Sequence, residues 1–159
     1  MKIRVPHEAR KRWKNCDEQA QRVYAACQYS GATHWAYFKD MEEVLKFIKV
    51  VIKGKTWARY GKHIKTVNIY PRGRGLKYAY GGRSVKHGYY IALPDNRFGR
   101  SIDAILHELA HVLTVGDDHG SWWIHVHLML VKEFFGTTPA IMLEEAYYST
   151  GALKHGRKK

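Results

Sequence analysis

Residues 107–111 read His-Glu-Leu-Ala-His, and a further histidine, His119, follows eight residues after the second motif histidine. On an α-helix, residues four apart share one face with Cβ atoms about 5–6 Å apart, so His107 and His111 can both reach one zinc ion. A catalytic zinc keeps a coordination position for water and lowers the pKa of that water to roughly 7. Glu108 would lie beside the metal and could move the water's proton to a leaving amine. The pattern therefore predicts a zinc hydrolase, most simply a peptidase.

The segment around this motif is typical of a helix. Residues 100–115 contain neither glycine nor proline, Ser101 and Asp103 are favourable at a helix start, and Gly116 is favourable at its end. Apolar residues recur at helical spacing, at Ile102, Ile105, Leu106, Leu109, Val112 and Leu113. We therefore expect both motif histidines on one face of this helix.

A third protein ligand could come from several residues: Asp117, Asp118, His119, Glu133 and Glu144. A helix that ends at Gly116 leaves residues 117–119 free to fold back over the metal, which favours His119. A metzincin arrangement would place the ligand at Asp117 and a glycine at position 114, but the β-branched Thr114 suits the positive φ of that turn poorly. Glu133 would lie about 18 Å along the next helix, whose start is already near the metal, and this distance disfavours Glu133 as a ligand together with His119. His119 is the preferred ligand, and the two aspartates could instead hydrogen-bond a histidine ligand.

The run HELAHVL, a short loop and DDHGSWW resemble the SprT-like and related minimal-gluzincin zinc metallopeptidases, in which HExxH precedes a loop and a His-Gly pair. The likeness covers residues 89–135. It implies one zinc ion bound by His107, His111 and His119, with Glu108 catalytic. SprT itself carries a cysteine-rich zinc ribbon after the catalytic part, whereas no cysteine follows Cys27 here.

Gly88 to Pro94 reads as a short β-strand closed by proline. The resemblance implies that this strand is a sheet edge that pairs with an extended peptide through backbone hydrogen bonds. The residues that would contact the peptide are Tyr89, Tyr90, Ile91 and Ala92. An ordinary edge strand without a substrate is the alternative interpretation.

The remaining pattern predicts helices at 8–28, from Asp40 to about Gly54, at 121–135 and at 139–148, with strands at 66–70, 76–80 and 89–93. We thus expect a single α+β domain over residues 1–159, with a short basic C-terminal tail. Its small three-stranded sheet would pack on several helices and place an edge strand before the motif helix. Residues 124–128 alternate like a strand, but their context favours a helix.

No apolar run reaches the roughly 18 residues of a membrane helix, and no apolar segment follows the basic amino terminus, so the sequence predicts a cytoplasmic protein without a membrane partner. Cys16 and Cys27 would lie about 16 Å apart along the first helix, too far for a disulfide. The sequence does not determine the oligomeric state.

Positive charge is concentrated in one region: residues 44–94 contain 12 Lys or Arg and no Asp or Glu, in a chain of net charge +13. Tyrosines and a tryptophan are interleaved with these cations, a mixture typical of nucleic-acid binding. The candidate contacts are Arg72, Arg74, Lys77, Arg83 and Lys86. Region 44–94 could equally attract an anionic protein or form a solvated surface.

Two weaker assignments concern aromatic and histidine side chains of the later helices. Tyr147 or Tyr148 could stabilise the transition state by donating to an oxyanion, although core packing is the simpler role. His125 and His127 are more simply hydrogen-bonded structural residues than ligands.

Two other functions are compatible with the sequence. The chain could be a basic nucleic-acid-binding or assembly protein with a structural or vestigial zinc site, or a zinc hydrolase of non-peptide amides or esters. The intact Glu108 disfavours a structural site, which normally uses a fourth protein ligand.

Overall fold

Six α-helices and a three-stranded sheet make up residues 18–154, the part of the chain that the computed structural model describes. The elements are α1 (Glu18–Tyr29), a 3-10 turn (Ala32–His34), α2 (Met41–Ile52), α3 (Lys55–Tyr60), β1 (Val67–Arg72), β2 (Tyr80–Ser84), β3 (Gly88–Pro94), α4 (Ile102–Leu113), α5 (Ser121–Phe134) and α6 (Thr137–Ser149). The predicted α+β class is confirmed. The start of the predicted first helix, Cys16 and most of the basic tail lie outside the described residues.

The predicted helix starts are confirmed by their caps. Asp40 Oδ1 accepts a hydrogen bond from the Glu43 amide at 2.9 Å and begins α2, and Ser101 Oγ accepts from the Ala104 amide at 3.1 Å and begins α4. Each side chain satisfies a backbone donor that the first helical turn leaves without a partner. Residues 124–128 lie within α5, so the helical interpretation of that segment is also correct.

Strand order differs from the prediction, because β3 is the central strand of the sheet and not an edge. The order is β1-β3-β2, with β1 parallel and β2 antiparallel to β3. Residues 90–94 of β3 are all buried, a pattern typical of a central strand that is covered on both faces of the sheet. Both edges of β3 are therefore paired within the sheet.

The strand predicted at 76–80 is also wrong, since β2 begins only at Tyr80 and continues through two glycines. The preceding loop is held instead by Asn96, whose amide donates to the backbone carbonyls of Arg74 and Leu76. A Cβ on Gly81 would overlap the backbone carbonyl of Glu108 in α4. The glycine thus marks a close approach between strand and helix, and not a turn.

Helix α4 lies at the centre of the molecule, packed against the sheet and against α5. Ten of its residues are buried, including the polar side chains of Asp103, His107 and Glu108. Helices α5 and α6 pack on one another, and α1 packs on α6. No helix within residues 18–154 is both long and apolar enough to span a membrane. The motif helix is consequently enclosed by elements from both ends of the described chain.

The contact between β2 and α4 predicts that Gly81→Ala destabilises the fold. The added methyl group would push the strand away from the Glu108 carbonyl, and overpacking of this kind costs roughly 1–3 kcal/mol. Urea denaturation measures this loss of unfolding free energy. Gly75→Ala is the matched control, because a Cβ there has no atom within 4 Å. Equal stabilities of the two variants would contradict the close approach.

Candidate metal centre

Three imidazoles converge where α4 meets the loop that follows it. The Nε2 atom of His119 lies 3.1 Å from Nε2 of His107 and 3.1 Å from Nε2 of His111. All three candidate ligand nitrogens lie within 4.8 Å of one another. The predicted i, i+4 pair on α4 and the later histidine are therefore brought together.

The loop between α4 and α5 turns back in the way that its sequence predicts. Helix α4 ends at Leu113, and Gly116 adopts a positive φ of 96°, a conformation that glycine reaches without steric cost. Asp118 also has a positive φ, of 53°. The Asp117 carboxylate accepts a hydrogen bond from the Trp123 amide at 2.8 Å and thereby fixes the start of α5. Gly116 and Asp117 together direct His119 over the α4 histidines.

The two nitrogen separations that involve His119 fit ligands of one tetrahedral metal ion. Three ligands about 2.0–2.1 Å from a tetrahedral zinc would be separated by roughly 3.3 Å, close to the two distances of 3.1 Å. Hydrogen bonds alone account for the cluster poorly, because one imidazole nitrogen carries either one proton or one in-plane lone pair. A shared cation satisfies all three nitrogens at once.

The protonation state of the cluster also suits a metal. Burial and the neighbouring histidines His111, His119 and His127 hold the pKa of His107 well below its usual value. Histidine binds a metal through its neutral ring, so a site that disfavours the imidazolium presents the ligand in its binding form.

Glu108 follows the first histidine on α4 and is 5% exposed. Burial, together with the nearby Asp103, raises the pKa of its carboxyl to about 8. Asp103 is itself buried, and burial raises its pKa to about 7. A carboxyl with a pKa near neutrality is well matched to accepting and releasing a proton.

Trp123 forms the inner side of the histidine cluster. Its ring centroid lies 4.6 Å from that of His107, 5.2 Å from that of His111 and 4.8 Å from that of His119. His127 stacks on the indole at 4.8 Å, its ring centroid lies 5.8 Å from that of His107, and its Nδ1 is 2.7 Å from the Tyr147 hydroxyl. The fully buried Trp123 excludes water from this side of the cluster.

Two further pairs of candidate residues, His125 with His127 and Tyr147 with Tyr148, lie on α5 and α6. His127 is buried and hydrogen-bonded, in agreement with a structural role, and burial together with His119 lowers its pKa to about 3. His125 is exposed and lies 3.1 Å from the Tyr60 hydroxyl. Tyr147 is fully buried with its hydroxyl at His127 and Cys27, and Tyr148 is half-buried beside it. The Tyr147 hydroxyl thus contacts interior residues other than the three candidate metal ligands.

The alternative third ligands have other positions. The Glu133 carboxylate accepts hydrogen bonds from the Lys55 and Thr56 amides and begins α3, a short helix that the sequence pattern did not reveal. Burial opposes ionisation of Glu133, but the hydrogen bonds from Thr56 outweigh it and lower the pKa. Asp117 caps α5, while Asp118 and Glu144 are exposed. His119 is the candidate that joins the two motif histidines.

The residues predicted to contact a peptide lie in β3, where Tyr90, Ile91 and Ala92 are buried and Tyr89 is half-buried. The predicted nucleic-acid contacts lie in and around β1 and β2. The Arg72 guanidinium stacks on the Tyr80 ring at 4.9 Å, and that of Arg83 stacks on the Tyr89 ring at 5.4 Å. The side chains of Arg74, Lys77 and Lys86 are exposed. The structure therefore places these cations on the sheet side of α4.

Sequence reasoning missed one residue of the site, Tyr24 of α1. Its ring centroid lies 5.9 Å from that of His107 and 5.5 Å from that of His119. No spacing rule links this helix to the HExxH motif, because the contact is made only in the tertiary structure.

Comparisons of the chain with protein-family models, with curated proteins and with solved structures found no match. The site itself combines three converging imidazoles, a buried carboxyl that follows His107 in the sequence, and an aromatic inner side. This donor set fits a single zinc ion with a position left for water or substrate.

The geometry predicts different effects of two neighbouring substitutions on metal binding. His119→Ala should reduce zinc affinity by at least about 100-fold, because two histidines remain from a three-ligand site. Asp117→Asn should retain most of the affinity, since an amide oxygen can still accept from the Trp123 amide. Competition of each purified variant with a fluorescent zinc chelator measures both values. The reverse ranking would assign the third ligand to Asp117.

Proposed function

We propose that this chain is a zinc-dependent metallopeptidase of the SprT-like, minimal-gluzincin kind. The observation that carries the proposal is the convergence of His107, His111 and His119, together with the buried carboxyl of Glu108, the residue that follows His107 on α4. Three histidines leave one position of a tetrahedral ion for water or substrate, whereas a structural site uses four protein ligands. The arrangement therefore supports hydrolysis over a purely structural role.

The proposed mechanism assigns separate tasks to the ligands and the carboxyl. Bound zinc would lower the pKa of its water to about 7 and polarise the carbonyl that is attacked. Glu108 accepts the proton of the attacking water and transfers it to the leaving amine. Its burial keeps the proton from bulk water between these two transfers. Trp123 closes the inner side, so substrate enters from the opposite side.

The sheet offers an extended peptide an edge at β2. Within the described sheet, β2 pairs with β3 on one side only, and Gly81 approaches the Glu108 carbonyl more closely than a side chain would allow. A peptide added to the outer edge of β2 would form backbone hydrogen bonds next to the site. This edge replaces β3 as the proposed substrate-binding strand.

The same residues could hydrolyse other amides or esters. The β2 edge favours a peptide, because its backbone groups match those of an extended chain. We also assign the protein to the cytoplasm, and the free, buried thiol of Cys27 supports a reducing compartment.

The proposed mechanism predicts that Glu108→Gln retains zinc and loses peptide hydrolysis. The amide has nearly the same shape but cannot accept the water's proton, and loss of a general base costs roughly 100- to 10,000-fold in rate. Cleavage of a peptide library by zinc-loaded protein, followed by mass spectrometry, measures the loss.

Two controls complete this experiment. Zinc content should remain one ion per chain in the variant, and chelation of the wild type should abolish cleavage that zinc then restores. Cleavage by Glu108→Gln at the wild-type rate would exclude the mechanism.

A second candidate function, nucleic-acid binding, is favoured by the surface around the β1–β2 loop. Tyr78 is 46% exposed in this loop, and the Arg72 side chain donates to its carbonyl while stacking on Tyr80. Exposed Arg74 and Lys77 flank it. Exposed tyrosines among cations can stack on bases while the cations contact phosphates. Such binding could accompany hydrolysis or replace it.

Nucleic-acid binding predicts that the double variant Arg74→Ala/Lys77→Ala binds single-stranded DNA more weakly. Each lost phosphate contact should reduce the slope of log affinity against log salt by about 0.7–1. Fluorescence anisotropy of a labelled oligonucleotide at several salt concentrations measures the slope. Lys49→Ala/Lys53→Ala is the control, because these exposed lysines lie at α2. Equal binding of polyglutamate and DNA would favour an anionic protein partner instead.

A further inference from the structure

Tyr24 lies against two of the three candidate metal ligands. Its ring is nearly parallel to that of His107, with an interplanar angle of 12° and a centroid distance of 5.9 Å. It meets His119 edge to face at 5.5 Å and 68°. One phenol therefore contacts a histidine from α4 and the histidine from the returning loop.

Helix α1 is fixed in this position from two directions. Val23, Ala26 and Cys27 are buried in the core next to Tyr24. One turn earlier, Gln19 Nε2 donates to the carbonyl oxygen of His119 at 2.9 Å and to that of Ala152 at 3.0 Å. Tyr24 thus belongs to a helix that is hydrogen-bonded to the loop that carries His119.

The exposure of the two aromatic neighbours distinguishes their roles. Trp123 is fully buried and closes the inner side of the cluster, whereas Tyr24 is only half-buried. Tyr24 is therefore the less buried of the two aromatic rings that contact His107 and His119. A phenol differs from an apolar ring at this place because its hydroxyl can donate a hydrogen bond.

We propose that Tyr24 is a further residue of the catalytic centre. Its hydroxyl first donates a hydrogen bond to the oxygen of the attacking water beside the three histidines. It then donates to the carbonyl oxygen of the substrate as that oxygen gains negative charge. This inference rests on the proposed function. It gives Tyr24 the oxyanion-stabilising role that the sequence pattern suggested for Tyr147 or Tyr148. Tyr147 is less suited because its hydroxyl contacts His127 and Cys27 in the interior.

The first test is the kinetics of Tyr24→Phe. Removal of one oxyanion donor lowers kcat by roughly 100- to 1,000-fold, while the ring that contacts His107 and His119 is retained. We expect KM to change less than about 3-fold and zinc binding to stay at one ion per chain. Tyr29→Phe is the matched control, because this tyrosine lies on the same helix and is 82% exposed.

The second test is independent of any substrate. In the Co²⁺-substituted protein, the visible spectrum follows deprotonation of the water bound to the metal. A phenol that donates to the resulting hydroxide stabilises it, so Tyr24→Phe should move the spectral midpoint to higher pH by about one unit, while Tyr29→Phe should leave it unchanged. The midpoint can be measured even if the wild type cleaves none of the peptides.

The outcomes separate this inference from the proposed function. A shifted midpoint without peptide cleavage by the wild type would support Tyr24 and contradict the peptidase. Cleavage by the wild type, with unchanged kcat and midpoint in Tyr24→Phe, would contradict the role of Tyr24 alone. Loss of metal by Tyr24→Phe would show that the phenol holds the cluster together and would also overturn the inference.

Discussion

The structure depends on bringing three imidazole nitrogens within 4.8 Å of one another at the surface of a largely buried helix. Two of them follow from the pitch of α4, and the third requires the chain to reverse direction within a few residues. The surrounding elements pack in a way that allows this arrangement of the histidines. Strand β2 crosses the helix without a side chain at Gly81, Trp123 fills the space behind the histidines, and Asp117 fixes the helix that carries this tryptophan.

Burial around α4 places several ionisable groups where water cannot solvate their charged forms. Burial raises the pKa of Asp103 to about 7 and that of Glu108 to about 8, while it lowers the pKa of His127 to about 3. All three shifts favour neutral side chains in the folded protein. A divalent cation held by the histidines would act in the opposite direction on Glu108, because positive charge favours the carboxylate. In the proposed zinc-loaded protein, metal binding and the protonation of this carboxyl would therefore be coupled.

Features determined by neighbouring residues could be predicted, and those determined by distant ones could not. The helix over the HExxH motif, its Ser101 cap and the turn at Gly116 follow from local preferences. The order of the strands depends on which apolar run is buried on both faces, and local periodicity does not reveal this. The glycines of β2 resemble a turn until the position of α4 is known. The contact of Tyr24 with the histidines arises only from the packing of α1.

Gln19 connects parts of the chain that are far apart in sequence. Its two hydrogen bonds span 100 residues to the His119 carbonyl and 133 residues to the Ala152 carbonyl. During translation, α1 is synthesised before both of these partners. The hydrogen bond between Gln19 and the Ala152 carbonyl can form only after residue 152 has been synthesised. Translation must therefore pass nearly the whole of the described fold before α1 can hold both carbonyls at once.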